Sequence, residues 1–197
     1  MTISVHKLFL SLLLALAMIS VVPHSYVNAR RWFHPEDMNI FFLLFLGLVT
    51  IYAYDWLKEK ISQKPLAVFL QIVVIAASCA IAVLCNFEYG MMGILLIMVF
   101  YIFRNDFPRM ALFGILVMSA GYMANVILRN GGIDWIQAHS QNLMDSILNT
   151  DKIQIFGLLA FPLIYLYNGK KGRQLPKAFY YLYYPVHLGI LALILYL

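Results

Sequence analysis

The sequence predicts an all-α protein that crosses a membrane several times as one helical bundle. Apolar residues make up 63% of the 197 residues and charged residues only 12%, and the mean hydropathy is +0.81. Soluble domains have roughly 45–50% apolar and 25% charged residues. The apolar residues also fall into separate runs of about the length that a transmembrane helix needs. We therefore expect one transmembrane domain over residues 1–197, with the lipid bilayer as its surroundings.

Seven apolar runs define the predicted spans, at residues 7–22, 39–57, 66–84, 88–103, 110–128, 153–167 and 179–197. The first run also resembles a signal peptide, because Lys7 precedes it and the small residue Ala29 follows it. Its length and Pro23 argue against cleavage, and we favour a retained helix. The runs at 88–103 and 153–167 are short for a hydrocarbon core of about 30 Å.

The basic residues predict the orientation of these spans. With seven spans, ten Lys and Arg residues fall on one side of the membrane and four on the other. The positive-inside rule places the richer side in the cytoplasm, so the N-terminus is predicted inside and the C-terminus outside. Because this sorting accounts for the net charge of +5, the charge does not indicate a nucleic-acid partner.

Two connections on the predicted outer side are long. The loop over residues 23–38 contains four polar residues that are able to bind metals, namely His24, His34, Glu36 and Asp37. They lack the spacing of a recognised ligand set, so we predict a solvated loop and no metal site. The stretch 129–152 has apolar residues at helical spacing among polar ones, which predicts an amphipathic helix in the membrane interface.

The last run contains an ionisable residue, His187. It lies about ten residues into the run, which at about 1.5 Å per residue is roughly 15 Å into the membrane. A polar side chain at this depth usually faces a bundle interior or a wet cavity, and it indicates a functional site. Tyr183 and Tyr184 lie on the same helical face, and Pro185 leaves the carbonyl of Tyr181 without its helical donor.

A structural explanation of the same residues is also open. His187 would then bond a neighbouring helix, and the tyrosines would form an interfacial aromatic belt. From these residues alone we favour the structural explanation.

Further polar groups lie near the predicted helix ends. Asn39 is placed to cap the second span. Glu88 and Tyr89 connect the third and fourth spans beside Gly90 and Gly93, whose spacing permits close approach of two helices. Capping and packing account for Asn39 and the glycines without a ligand.

Basic residues on the predicted cytoplasmic side form a candidate anion site, which consists of Arg104, Lys170, Lys171 and Arg173. Such residues are able to bind the phosphates of a cofactor such as CoA. The positive-inside rule accounts for them without any ligand, and we prefer that explanation.

Several of these stretches together resemble the TraX family. They are Asn39-Ile-Phe-Phe, Glu88-Tyr-Gly-Met-Met-Gly93-Ile-Leu-Leu-Ile, Tyr167-Asn-Gly-Lys-Lys-Gly172 and Phe179-Tyr-Tyr-Leu-Tyr-Tyr-Pro-Val-His187-Leu. The resemblance covers most of the chain from about residue 7 onward, and its last two stretches are the most specific.

The resemblance implies a polytopic bacterial inner-membrane protein related to membrane acyltransferases. The family's namesake acetylates the N-terminus of pilin in conjugative pilus systems, with acetyl-CoA as the expected donor. The implied acceptor is therefore a pilin or another group near the membrane. In this chain His187 is the implied acid/base, with Tyr183 or Tyr184 to orient it, and the basic residues above are the implied contacts of acetyl-CoA.

The sequence also departs from the family. An earlier pair of apolar segments, with Asp-His-Ile-Gly-like and Gly-Arg-x-Ala-Phe-Pro-like motifs, does not occur in it, and we expect the chain to begin at the family's third helix. By analogy with other membrane acyltransferases, the histidine of that motif is the better candidate for the general base.

A second hypothesis is therefore a truncated, non-catalytic membrane scaffold or incomplete paralogue, in which His187 makes a packing hydrogen bond. A channel or transporter fits less well, because the sequence has neither an internal repeat nor a ladder of acidic residues.

Overall fold

The computed structural model describes residues 3–32, 38–129, 132–138, 140–142, 156–167, 170, 172 and 174–197, with the side chains of most of them. These residues form helices joined by short turns, and no β-strand occurs among them. The helices are α1 (Ile3–Ala29), α2 (Ile40–Lys60), α3 (Lys64–Leu84), α4 (Gly90–Ile102), α5 (Phe107–Arg129), α6 (Ile133–Ala138), α7 (Ala160–Leu166) and α8 (Lys177–Tyr196), with a 3₁₀ turn at Phe156–Leu159. The predicted all-α class is confirmed.

Five of these helices are long and apolar enough to cross a membrane, at Phe9–Ala29, Ile40–Lys60, Lys64–Leu84, Phe107–Ala124 and Ala178–Tyr196. The two short predicted spans correspond to the shorter apolar helices Gly90–Ile102 and Phe156–Leu166. The membrane character of the chain is confirmed, whereas the count of seven spans and the orientation of the two ends stay predictions.

The chain divides into two compact units. Unit 1 comprises Met1–Leu95 and Lys171–Leu197, and unit 2 comprises Leu96–Lys170. Unit 1 contains α1, α2, α3 and α8, so it joins the beginning and the end of the chain.

In unit 1, α1 and α8 run in the same direction. Near their starts, the rings of Phe9 and Tyr181 lie 6.5 Å apart. Near their ends, the rings of Tyr26 and Tyr196 lie 6.2 Å apart, and the Arg30 guanidinium donates to the carbonyl of Leu195 at 3.1 Å. The last carbonyls of a helix lack partners within it, so Arg30 caps α8 from outside.

The first helix continues beyond the predicted span of 7–22 and ends at Ala29. The expected solvated loop from Pro23 is therefore wrong for residues 23–29, while His34, Glu36 and Asp37 lie outside the described residues. Pro23 removes one backbone donor, which a membrane helix tolerates when neighbours stabilise the turn. The helix instead stops where Arg30 adopts φ of 57°, in the left-handed region that ends helices.

Asn39 begins α2 and attaches it to α1. Its Oδ1 accepts the backbone N–H of Phe41 at 3.1 Å, so the predicted cap is confirmed. Its Nδ2 donates to the carbonyl of Ala17 at 2.9 Å, and the residue is only 1% exposed. Next to this cap, Phe41 packs with Leu13, Leu16 and Ala17 in the core between α1 and α2.

A tight turn over residues 85–89 joins α3 to α4. The backbone of Met38 donates to Asn86 O at 3.2 Å and accepts from the N–H of Glu88 at 2.9 Å. Asn86, Tyr89 and Gly90 have positive φ values of 50°, 64° and 46°. The two backbone hydrogen bonds with Met38 therefore hold the turn beside the start of α2.

The two glycines after the turn have different roles. A Cβ at Gly93 would overlap Cδ2 of Leu43. The close helix approach that the sequence predicted at these glycines therefore occurs at Gly93, and its partner is α2. Gly90 has nothing within 4 Å of an added Cβ, and its positive φ is what favours glycine there.

Unit 2 is held by aromatic contacts. A Cβ at Gly114 of α5 would meet the ring of Phe161 in α7, and Phe161 lies edge-on to Phe100 at 6.0 Å. The predicted interfacial helix is helical over Ile133–Ala138, and its continuation over 143–152 lies outside the described residues.

The glycine contact predicts a sharp difference between two substitutions. Gly93→Ala forces the Leu43 side chain out of its position and should cost about 1–3 kcal/mol of stability. Gly189→Ala is the control, because a Cβ there meets nothing within 4 Å and alanine favours a helix. Thermal unfolding in detergent micelles measures both. A Gly93→Ala protein that melts no lower than Gly189→Ala would contradict the packing.

Candidate functional site

A buried histidine lies on the inner face of α1, where the sequence predicted a loop. His24 is 5% exposed and Ser20, one turn earlier, is fully buried. Ala17, Ser20 and His24 are separated by three and four residues, so they share one face of the helix. Because buried polar groups in membrane helices are costly, this face is a candidate functional surface.

Glu88 of the 85–89 turn approaches His24. Its Oε2 atom lies 3.9 Å from Nε2 of the imidazole. The side-chain nitrogen of Asn28, one turn along α1, is 3.0 Å from the same Nε2. One ring nitrogen therefore faces a carboxylate and an amide.

Tyr184 of α8 completes the cluster from a third part of the chain. Its hydroxyl lies within interaction distance of the carboxylate of Glu88 and of the backbone N–H of Ile40. A hydroxyl donates to a carboxylate and accepts from an amide, so Tyr184 connects α8 to both the turn and the start of α2. Its ring also lies edge-on to Phe41 at 5.0 Å.

Three buried polar atoms in this region have no hydrogen-bond partner among the residues that the structure describes. They are Ser20 Oγ, His24 Nδ1 and Glu88 Oε2. Most buried polar atoms in proteins are paired, and the exceptions often have a catalytic role or bind water or a ligand. We call His24, Glu88, Tyr184 and Ser20 the polar cluster.

The polar cluster is able to perform proton transfer. As the Asn28 amide stands, its nitrogen donates to Nε2, so the neutral ring carries its proton on Nδ1. With the amide turned so that its oxygen accepts from an Nε2–H, the unpaired Nδ1 of His24 is a free base. The carboxylate beside Nε2 stabilises the imidazolium that forms when Nδ1 accepts a proton. This is the arrangement of a base whose second nitrogen is oriented by another group.

His187, the sequence-predicted acid/base, lies beside this cluster on α8. Its ring is stacked on Tyr183 at 5.3 Å and lies edge-on to Tyr184 at 5.4 Å. Its Nδ1 is 3.2 Å from the carbonyl of Tyr183. An N–H at Nδ1 donates to this carbonyl, which leaves Nε2 as the basic nitrogen. The part assigned to His187 in catalysis stays a prediction.

The sequence predicted that Tyr183 or Tyr184 orients His187. In the structure, the two tyrosines contact His187 in different ways. Both rings contact His187, but the polar contact of Tyr183 is through its backbone carbonyl. The hydroxyl of Tyr184 is directed to Glu88 and Ile40. Among the other predicted residues, Asn39 and Gly93 pack the helices, and Tyr89 and Gly90 shape the turn that carries Glu88.

The described members of the predicted anion site belong to unit 2. The Arg104 guanidinium lies 4.6 Å from the ring centre of Tyr101 and donates to the Tyr101 carbonyl at 2.9 Å. Lys170 is exposed. Lys171 and Arg173 lie outside the described residues. The described part of the chain has no group of three residues that would hold a metal ion.

The model of the family described as TraX protein matches residues 3–195. No curated protein and no solved structure matches the chain.

The contacts of Tyr184 predict that its hydroxyl contributes to stability. Tyr184→Phe leaves the Ile40 N–H and one carboxylate oxygen of Glu88 unpaired, which should cost about 1–3 kcal/mol. Tyr183→Phe is the neighbouring control, because its side chain is 60% exposed and exposed changes stay within about 0.5 kcal/mol. Unfolding midpoints in micelles compare the two proteins. Equal midpoints would show that the Tyr184 hydroxyl does not stabilise the fold.

Proposed function

The chain belongs to the TraX family, and from this membership we propose that it is a membrane acetyltransferase. It transfers an acetyl group from acetyl-CoA to a protein N-terminus, such as that of a pilin, or to another acceptor near the membrane. The observation that carries the proposal is the buried contact of His24 with Glu88, at 3.9 Å.

Acyl transfer to an amine or hydroxyl requires removal of a proton from the acceptor. Acetyl-CoA supplies the acetyl group as a thioester, so the protein needs no nucleophile of its own. The protein's part is to position the acceptor and to provide a general base, which typically contributes about 10²–10⁴-fold to a rate.

His24 is suited to this role by its surroundings. With the Asn28 amide turned so that its oxygen accepts from Nε2–H, the unpaired Nδ1 accepts the acceptor's proton, and Glu88 stabilises the resulting imidazolium. The same proton is then available for the departing thiol of CoA, so His24 returns to its starting state. Tyr184 holds the Glu88 carboxylate through its hydroxyl, which makes it a positioning residue.

His187 is the second candidate for the base. Its Nδ1 contact with the Tyr183 carbonyl fixes the ring and leaves Nε2 basic. The two histidines differ in their surroundings. In the described part of the chain, only His24 has a carboxylate beside it.

Binding of acetyl-CoA is assigned to the basic residues that the sequence indicates. The guanidinium of Arg104 is exposed and uses one nitrogen for the Tyr101 carbonyl, so other N–H groups remain to contact a phosphate. Lys170 is exposed as well, and Lys171 and Arg173 complete the proposed set. We place these residues on the cytoplasmic side of a bacterial inner membrane, where acetyl-CoA is made.

A non-catalytic scaffold is the competing function. It is favoured by the contact of His187 with a carbonyl of its own helix, since this contact gives the Nδ1–H a partner without any substrate. The scaffold has no use for the unpaired nitrogen of His24, and it would bind no acetyl-CoA.

Acetyl transfer by the purified, reconstituted protein separates these possibilities. We expect His24→Gln to lower the rate by about 10²-fold or more, with unchanged folding by circular dichroism. His187→Gln is the matched comparison, and a similar loss there would assign the base to His187 instead. Full activity in both variants would remove both histidines from the mechanism, and no transfer by the unaltered protein to any acceptor would favour the scaffold.

A further inference from the structure

In unit 1, the helices α1 and α8 extend beyond the level at which α2 starts. Asn39 at the start of α2 bonds to Ala17, and α1 continues for twelve residues beyond that point to Ala29. Phe41 contacts Tyr184, and α8 likewise continues for twelve residues to Tyr196. At about 1.5 Å per residue, both helices extend about 18 Å beyond the start of α2. We call their far ends the tip.

The tip has the composition of a membrane interface. Tyr26, Trp32 and Tyr196 pack together, with ring centres 4.5–6.2 Å apart, and Arg30 lies beside them on Leu195. Aromatic and basic residues of this kind gather at the headgroup level. The stretches of α1 and α8 below the tip expose apolar side chains, including Val22, Ile190 and Ile194, so they belong in hydrocarbon.

A second group of aromatic residues lies on α2, on the side of its start that is opposite to the tip. We call these two groups the aromatic bands. Tyr52, Tyr54 and Trp56 precede Lys58 and Lys60, and Trp56 is about 24 Å from the start of α2 at about 1.5 Å per residue. The two bands are then about 42 Å apart, which matches the roughly 40–45 Å of a bilayer with its headgroups. The start of α2 and the 85–89 turn lie between them, near the middle.

A non-helical turn at this depth needs a polar environment. Irregular backbone occurs at membrane depth only where protein buries it or where it lines a water-filled cavity. Cys85, Asn86 and Tyr89 of the turn are exposed in the structure. Beside the turn are the unpaired atoms of Ser20, His24 and Glu88, and buried groups of this kind are commonly satisfied by internal water.

We infer that unit 1 contains a water-filled vestibule that opens at the tip and reaches the polar cluster, whose residues lie from about 8 Å (His24) to about 18 Å (Tyr184) below the tip. A polar ligand enters it from the aqueous side of the tip and does not enter sideways from the lipid. Only the identity of this ligand as the acyl acceptor rests on the proposed function; the vestibule itself does not.

Thiol accessibility tests the vestibule in reconstituted full-length protein. The chain has two cysteines, so Cys79→Ala leaves Cys85 in the turn as the only thiol. Glu88→Cys, in a protein with both native cysteines changed to alanine, is a second probe of the turn. In the same background, Met18→Cys is the depth control, because Met18 lies next to Ala17 and is 60% exposed. Trp32→Cys marks the tip.

A charged, membrane-impermeant methanethiosulfonate reagent is added on the side from which Trp32→Cys reacts. We expect at least one turn position to react at least about tenfold faster than Met18→Cys, because the reaction requires a hydrated thiolate. Both turn positions as inert as Met18→Cys would mean a dry turn. Reaction of Met18→Cys at the rate of Trp32→Cys would place that level outside the bilayer, and reaction of the turn only from the opposite side would reverse the opening. Each of these three results overturns the inference, whatever the outcome of the acetyl-transfer assay.

Discussion

The two hydrogen bonds of Asn39 are the constraint on which the rest of unit 1 depends. The first backbone N–H groups of an α-helix have no partners within the helix, and where water is excluded they need other acceptors. Asn39 satisfies one of them at Phe41 and uses its remaining donor to attach the helix start to Ala17 of α1. The hydroxyl of Tyr184 faces another at Ile40. The capping of α2 therefore fixes α1, α2 and α8 relative to one another.

The same constraint assembles the polar cluster. The backbone of Met38, next to Asn39, pairs with the 85–89 turn, so the turn is held against α1 and α8. Glu88 then reaches His24 on one side and Tyr184 on the other. A carboxylate, an imidazole and a phenol from three distant parts of the sequence meet because one helix start had to be capped.

The sequence was informative where a local rule applied. Asn39 before an apolar run predicted a cap, and Gly93 predicted close helix packing, because both depend on a few adjacent residues. His24 was missed because Pro23 and the following polar residues resemble the end of a span, although Ala17, Ser20 and His24 already share a helical face. The helical spacing of Tyr184 and His187 was correctly interpreted as one face. The partner of the Tyr184 hydroxyl lies 96 positions away at Glu88, and no local pattern indicates such a pairing.

The contact between His24 and Glu88 is the central claim, and solid-state NMR of the protein in lipid bilayers measures it directly. With ¹⁵N-labelled histidine and ¹³C-labelled glutamate, dipolar recoupling between the His24 ring and the Glu88 carboxylate reports their separation. The structure, with 3.9 Å between Nε2 and Oε2, predicts a weak but measurable coupling that is absent from Glu88→Gln prepared with unlabelled glutamine. Absence of any coupling between these two side chains in the unaltered protein would contradict the account.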